Sequence, residues 1–172
     1  LLLVLSGNAS AQVTETFDIS SFQPPKGWVK QTGQNSFQIS SGDKLSGAYC
    51  LITLFKSISS SGSSKQNFAD AWQTVVRSTV NVSSEPQLSP MENADGWEVL
   101  SGYSPFEKDG AKGVAILVTA TGFGKMVNSL ILTNSDAYEK DIASFLGSIV
   151  LKKPTAAAVT ETIVSQTSPI SV

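Results

Sequence analysis

Residues 97–133 decide the fold: WEVLSGYSPFEKDGAKGVAILVTATGFGKMVNSLILT. Trp97, Val99, Ser101 and Tyr103 alternate with Glu98, Leu100 and Gly102, the period of two that belongs to a half-buried strand. Lys108-Asp109-Gly110 then signals a turn. Gly113 to Thr121 is a strongly apolar strand with Val114, Ile116 and Val118 on one face. Gly122-Phe123-Gly124 turns the chain, and Lys125 to Thr133 returns as a third strand. Strands that follow one another without intervening helices favour an antiparallel sheet.

The segments on either side add to that meander. Trp28-Val29-Lys30-Gln31 starts a strand, and Phe37-Gln38-Ile39 alternates as another. A polar loop from Ser40 to Gly47 leads to Tyr49–Lys56. There Tyr49, Leu51, Thr53 and Phe55 point one way and Cys50, Ile52 and Leu54 the other. Both faces are apolar, so this central strand is expected to be covered on both sides. After a Ser/Gly loop, Phe68, Trp72, Val75, Val76 and Val80 fall at helical spacing. Asn67 with Asp70 resembles a capping box for this helix, and Ser64 is an alternative cap one turn earlier. Ser83 to Pro90, with two prolines, reads as a short edge segment and loop. Beyond the meander, Asn134 or Ser135 caps a second helix striped by Tyr138, Ile142, Phe145 and Leu146 and stopped by Gly147. Ser148 to Leu151 offers a last strand. The expectation is an α+β domain: a twisted antiparallel sheet of about six strands with two main amphipathic helices packed on it.

This layout resembles the Mog1/PsbP-like fold. The resemblance rests on an extended arm ending in Pro24, Pro25, Gly27 and Trp28, the strand Tyr49–Phe55, a helix carrying Phe68 and Trp72, the meander and the C-terminal helix. It covers residues 17–151. It implies a binding or assembly role without a shared catalytic site, by analogy of fold alone. No family binding residue is carried over, because none matches by motif.

The ends read differently. Leu1 to Leu5 is apolar, small residues follow, and Ala9-Ser10-Ala11 has the A-x-A form of a signal-peptidase site before Gln12. Residues 1–11 are therefore expected to be the remnant of a secretory signal peptide, 12–151 a single α+β domain, and 152–172 a flexible tail or linker. The expected location is extracytoplasmic, periplasmic or secreted. No stretch is apolar for the ~20 residues that a transmembrane helix needs.

Composition narrows the function classes. The 172 residues are 15% charged with a net charge of −2, and Lys152-Lys153 is the only adjacent basic pair. Without a basic face to neutralise phosphates, nucleic-acid binding is not expected. The chain has no histidine and one cysteine, Cys50. That excludes Ser-His-Asp and Cys-His nucleophile systems in their usual form and removes the commonest zinc ligands. Cys50 lies in an apolar run and reads as a buried thiol. Ser41-Gly42-Asp43-Lys44 has S-x-x-K spacing but glycine-rich surroundings that indicate a loop. Gly122-Phe123-Gly124-Lys125 lacks the rest of a phosphate loop. The carboxylates Glu92, Asp95, Glu98, Glu107 and Asp109 sit near turns or alternate outward, which suits solvated surface. Asn81-Val82-Ser83 fits a glycosylation sequon.

No catalytic, cofactor or metal residue is assigned, and no cofactor is expected. The candidate ligand-binding residues are Trp28, Trp97, Tyr103 and Phe123, aromatics able to line a groove for a sugar or peptide. The expected function is a secreted non-catalytic binding or assembly domain for an unknown protein or small-molecule ligand. The alternatives are an enzyme or enzyme accessory domain of a longer exported protein, and a cell-surface structural module.

Overall fold

The structure, a computed structural model, describes residues 13–153. The expected signal-peptide remnant and nearly all of the expected tail lie outside the described residues. The chain opens with a hairpin of β1 (Glu15–Phe17) and β2 (Ser20–Phe22), then passes through β3 (Val29–Thr32), β4 (Ser36–Gly42), β5 (Tyr49–Phe55) and the two-residue β6 (Ile58–Ser59). Helix α1 (Ser64–Ala71) runs into a π-helical turn, Trp72–Val76. Three short strands follow: β7 (Asn81–Val82), β8 (Gln87–Leu88) and β9 (Glu92–Ala94). The meander consists of β10 (Trp97–Lys108), β11 (Ala111–Gly122) and β12 (Lys125–Thr133). A single 3-10 turn, Asp136–Tyr138, leads into α2 (Glu139–Ser148), and β13 (Val150–Leu151) completes the fold.

Every strand pairing is antiparallel. The main sheet has ten strands, with the order β3-β4-β5-β12-β11-β10-β7; β6 adds to β12, and β8 and β9 add to β10. β1, β2 and β13 form a separate three-stranded ribbon. The expected sheet of about six strands is corrected accordingly. Six strands of the main sheet have four or more residues, and these are the ones read as strands in the sequence. The others are two- or three-residue pieces too short to show a period. The arm before Pro24 is a hairpin reversed at Asp18, whose φ is +54°.

The β9–β10 hairpin and the meander are closed by two-residue turns. Asp95-Gly96, Asp109-Gly110 and Phe123-Gly124 all have positive φ at both positions, the pattern that matches the strands' right-handed twist. Between β10 and β11 the register runs from Glu98 opposite Thr121 to Lys108 opposite Ala111. β12 then inserts beside β5, with Ile131 opposite Ile52, and joins the two halves of the sheet.

Each face of the sheet has its own core. On one face, α1 and the π-turn pack Phe68, Trp72, Val76 and Val80 onto Leu100, Leu117 and Leu130. Phe68 sits where Gly102 lacks a side chain: a Cβ there would lie 2.7 Å from the ring. On the other face, α2 and the ribbon pack Phe22, Ile142 and Phe145 onto Phe37, Ile52 and Ile131. β5 contributes to both, as its two apolar faces require. Full burial of side chains such as Ile52 and Leu54 contributes roughly 1.5–3 kcal/mol each.

Two helix boundaries differ from expectation. Ser63 caps α1, its hydroxyl accepting from the Gln66 amide at 3.3 Å. Asn67 lies inside the helix, buried, where its amide donates to the Gly62 carbonyl and to Thr121 Oγ1 at 3.1 Å. Five serines in the six residues 59–64 make the start of the helix indistinct in sequence. Gly147 does not stop α2; the helix continues to Ser148, whose hydroxyl donates to the Phe145 carbonyl at 2.7 Å. At the other end Ser135 caps the leading turn as expected.

Candidate functional site

The α2 face of the sheet is only partly covered. Seven strands spaced ~4.8 Å apart make a sheet roughly 29 Å wide. A helix with its side chains is ~10 Å across, and α2 is ten residues long. Its buried residues, Ile142 and Phe145, seat it over the β4, β5 and β12 part of the sheet. The strands beyond, β11 and β10, are left half-covered on this side. Val114, Ile116 and Val118 are consequently only partly buried, whereas Ala115 and Leu117 on the opposite face are fully buried.

Two clefts occupy the gap. One, of about 500 Å³, lies between β10, β11 and the C-terminal end of α2 with β13. Its floor includes Val99, Ser101, Ile116, Val118 and Ala120, its wall Leu146, Gly147, Ile149 and Leu151, and its rim Glu92 and Asp95. The other, of about 630 Å³, lies at the N-terminal end of α2 over Gly113, Val114 and Ile116, walled by Ile142, Ala143 and Leu146. Ile116 and Leu146 line both, so the clefts meet as one apolar trough along β11 beside α2. Both volumes lie in the range of ligand sites.

The four candidate aromatics are not gathered into one groove. Trp97 is 2% exposed and lines the cleft of about 500 Å³. Its indole Nε1–H has no acceptor among the described residues. Phe123 stands against Trp97, edge to face with ring centroids 5.3 Å apart, and is half-exposed. Lys153 Nζ lies 5.5 Å from the Phe123 centroid. Tyr103 is exposed farther along β10 and donates its hydroxyl to Gln87 Oε1 at 2.7 Å. Trp28 packs edge to face on Tyr138 at 5.6 Å as part of the α2-side core.

Sequence reasoning marked Val114, Ile116 and Val118 as one strand face but had no way to see that the face is half-covered. Ala143 and Gly147 were missed as wall residues. The signal for them is present: two small residues four apart, on the flank of α2 next to its apolar stripe, leave room between helix and sheet.

The titratable groups are dispersed. Glu92 and Asp95 are at the trough rim, Glu98 accepts from the Ser64 hydroxyl on the opposite face, and Glu107 and Asp109 lie at the far end of β10. Among the described residues no three His, Cys, Asp or Glu side chains are grouped to hold a metal ion. Cys50 is fully buried, and desolvation, against a hydrogen bond from Thr133, pushes its thiol up to about 12. It is therefore a packing residue rather than a nucleophile at neutral pH. Ser41 is on β4 and Lys44 in the following loop; Asp43 holds that loop by accepting from Leu45 N at 2.9 Å and Ser46 Oγ at 2.7 Å. Its carboxyl is lowered from its ordinary value by those bonds, Ser46 first. No helix among the described residues is long and apolar enough to cross a membrane.

An antiparallel sheet with one helix on each face and a terminal ribbon is an α+β arrangement with the PsbP/Mog1-like fold. The particular likeness is to the solution structure of cyanobacterial PsbP (CyanoP) from Synechocystis sp. PCC 6803. That match has a TM-score of 0.52 at 11% identity and covers 85% of this chain and 96% of that one. A crystal structure from Bacteroides thetaiotaomicron VPI-5482 also matches, with a TM-score of 0.48 at 16% identity. It covers 78% of this chain, which spans 46% of that one. No family model and no curated protein matches the chain.

Proposed function

We propose that this protein is an exported, non-catalytic binding or assembly domain that receives its ligand in the trough beside α2. The observation that carries the reading is the half-covered apolar face of β11, Val114, Ile116 and Val118, left open where neighbouring faces are closed. An apolar surface of this kind gains free energy when a ligand removes it from water, at roughly 25 cal/mol per Å². Export is supported by the apolar stretch and Ala9-Ser10-Ala11 ahead of Gln12. Trp97 and Phe123 at one end of the trough are the candidate aromatics that this reading retains as ligand-proximal. Trp28 and Tyr103 are assigned to packing and to the outer edge.

The test is thermal unfolding of the protein against metal ions, sugars, peptides and lipids. A ligand at about 100 times its Kd adds about 2.7 kcal/mol of stability, a readable rise in Tm. The expected result is a shift with one class that Ala143→Trp, at an exposed position in the trough wall, abolishes. An equal shift in that variant, or no shift with any class, would remove the trough as the binding site.

A further inference from the structure

The trough's shape and charge say more about its occupant, given that it is the binding face. Val114, Ile116, Val118 and Ala120 lie along its floor on alternate residues of one strand, a run of roughly 20 Å. That floor is long and narrow, so it suits a linear occupant. Both ends are acidic. Glu92 and Asp95 stand at one, where Lys153 lies nearby over Phe123, and Asp136 and Glu139 at the other, with Lys112 the single basic residue lining either cleft. None of the four acids belongs to the two ion pairs found among the described residues. Asp136 and Glu139 also face the favourable N-terminal end of the helix dipole, but all four carboxylates are exposed and bear on whatever lies in the trough.

We propose that the trough receives an extended apolar peptide segment of a partner protein, flanked on both sides by basic residues. An apolar core covers the β11 floor, and basic flanks answer the acidic ends. A single-headed cationic amphiphile would satisfy one acidic end only.

The experiment measures binding of three labelled peptides to the whole protein by fluorescence anisotropy. Each has a valine/leucine core, with flanks of lysine, serine or glutamate, and dodecyltrimethylammonium serves as competitor. The lysine-flanked peptide is expected to bind tightest, and its advantage over the serine-flanked one should shrink as salt rises. Ala143→Trp and Ser101→Phe, each at a position that is not fully buried, should weaken it by about tenfold or more, a loss of about 1.4 kcal/mol or more. The combined neutral variant Glu92→Gln, Asp95→Asn, Asp136→Asn, Glu139→Gln should bind the lysine- and serine-flanked peptides equally. Equal binding of all three peptides by the wild type, still blocked by Ala143→Trp, would overturn the basic-flank proposal and leave the trough as a binding site. Tighter binding of the alkylammonium, blocked by the same variants, would assign the trough to lipid-like amphiphiles and overturn the peptide. No binding of any probe would overturn the proposal, and binding indifferent to both blocking variants would overturn the trough reading with it.

Discussion

Phe123 holds a left-handed backbone position, φ +53°, that aspartate fills in two other hairpin turns, Asp95-Gly96 and Asp109-Gly110. Asp adopts that region several-fold more readily than a bulky aromatic. The compensation is visible in the packing: the Phe123 ring meets Trp97 edge to face and leaves no space for a Cβ at Gly96, which would fall 2.9 Å from its tip. Asp18 is a second left-handed residue, and its carboxylate accepts from Ser57 N at 2.7 Å. Partial burial works to raise its pKa, but the Ser57 and Ile19 hydrogen bonds and the charge of Lys56 outweigh it, so the group lies below 3.8. A carboxyl depressed on folding adds stability that is fully present above its unfolded pKa and is lost as pH falls through the folded value. Asp18→Asn should therefore lower the urea midpoint at about pH 5 and converge on wild type as pH falls through the lowered folded value; parallel profiles would remove the carboxylate from the account. The exposed position limits the size of the effect. At this scale the sequence was partly legible. Cys50 read correctly as buried because apolar residues surround it on the strand, whereas nothing in the letters separates Trp97, buried beside the trough, from Trp28, partly buried against Tyr138.

Helix α1 shows how an element is shaped by what it covers. Its stripe, Phe68, Trp72, Val76 and Val80, repeats every four residues, more than the 3.6 of an α-helix. A pure α-helix would carry the stripe off the sheet. The π-turn, marked by the Arg77 amide bonding back to the Trp72 carbonyl at 3.0 Å, takes up the excess and keeps all four buried. Side-chain hydroxyls of Thr74, Ser78 and Thr79 bond to carbonyls one turn back along the same stretch. The stripe was legible because its spacing survives in the letters. The start was not, since Ser63, Ser64 and Asn67 are all good capping types, and only the tertiary contacts of Asn67 with Gly62 and Thr121 decide among them. Two substitutions separate these roles. Ser63→Ala should cost about 1 kcal/mol, the loss of one cap bond. Asn67→Ala should cost about 1–3 kcal/mol, since it leaves the Thr121 and Ser60 hydroxyls in a part-buried site without their partner. Urea unfolding of both variants gives the order; a costlier Ser63→Ala would return Asn67 to a peripheral role.

For the whole molecule, the six long strands, the meander among them, could be read because each has alternation, an apolar run or a bounding turn of its own. The placement of β12 beside β5 could not, because it is settled by which apolar faces complete the two cores rather than by any local signal. The trough belongs to the same class of fact. It follows from one helix of ordinary width laid on a sheet nearly three times as wide, and no single segment records that mismatch. The terminal ribbon, in turn, governs how the chain is closed. β1 and β13 flank β2 on opposite sides, with Glu15 opposite Phe22 and Leu151 opposite Ser20, and Lys152 N reaches the Ile19 carbonyl at 2.8 Å. Two strand spacings and two residues of offset put the entry and exit points roughly 12 Å apart. A linker of about four to six residues spans that distance. The domain should therefore tolerate circular permutation, with residue 15 joined to residue 151 and new ends opened beside Leu45, which is 99% exposed at its loop tip. Retention of the native unfolding midpoint by that permutant, and its loss when the chain is opened inside β12, would mean that the order in which the strands are connected matters less to this fold than which strands meet.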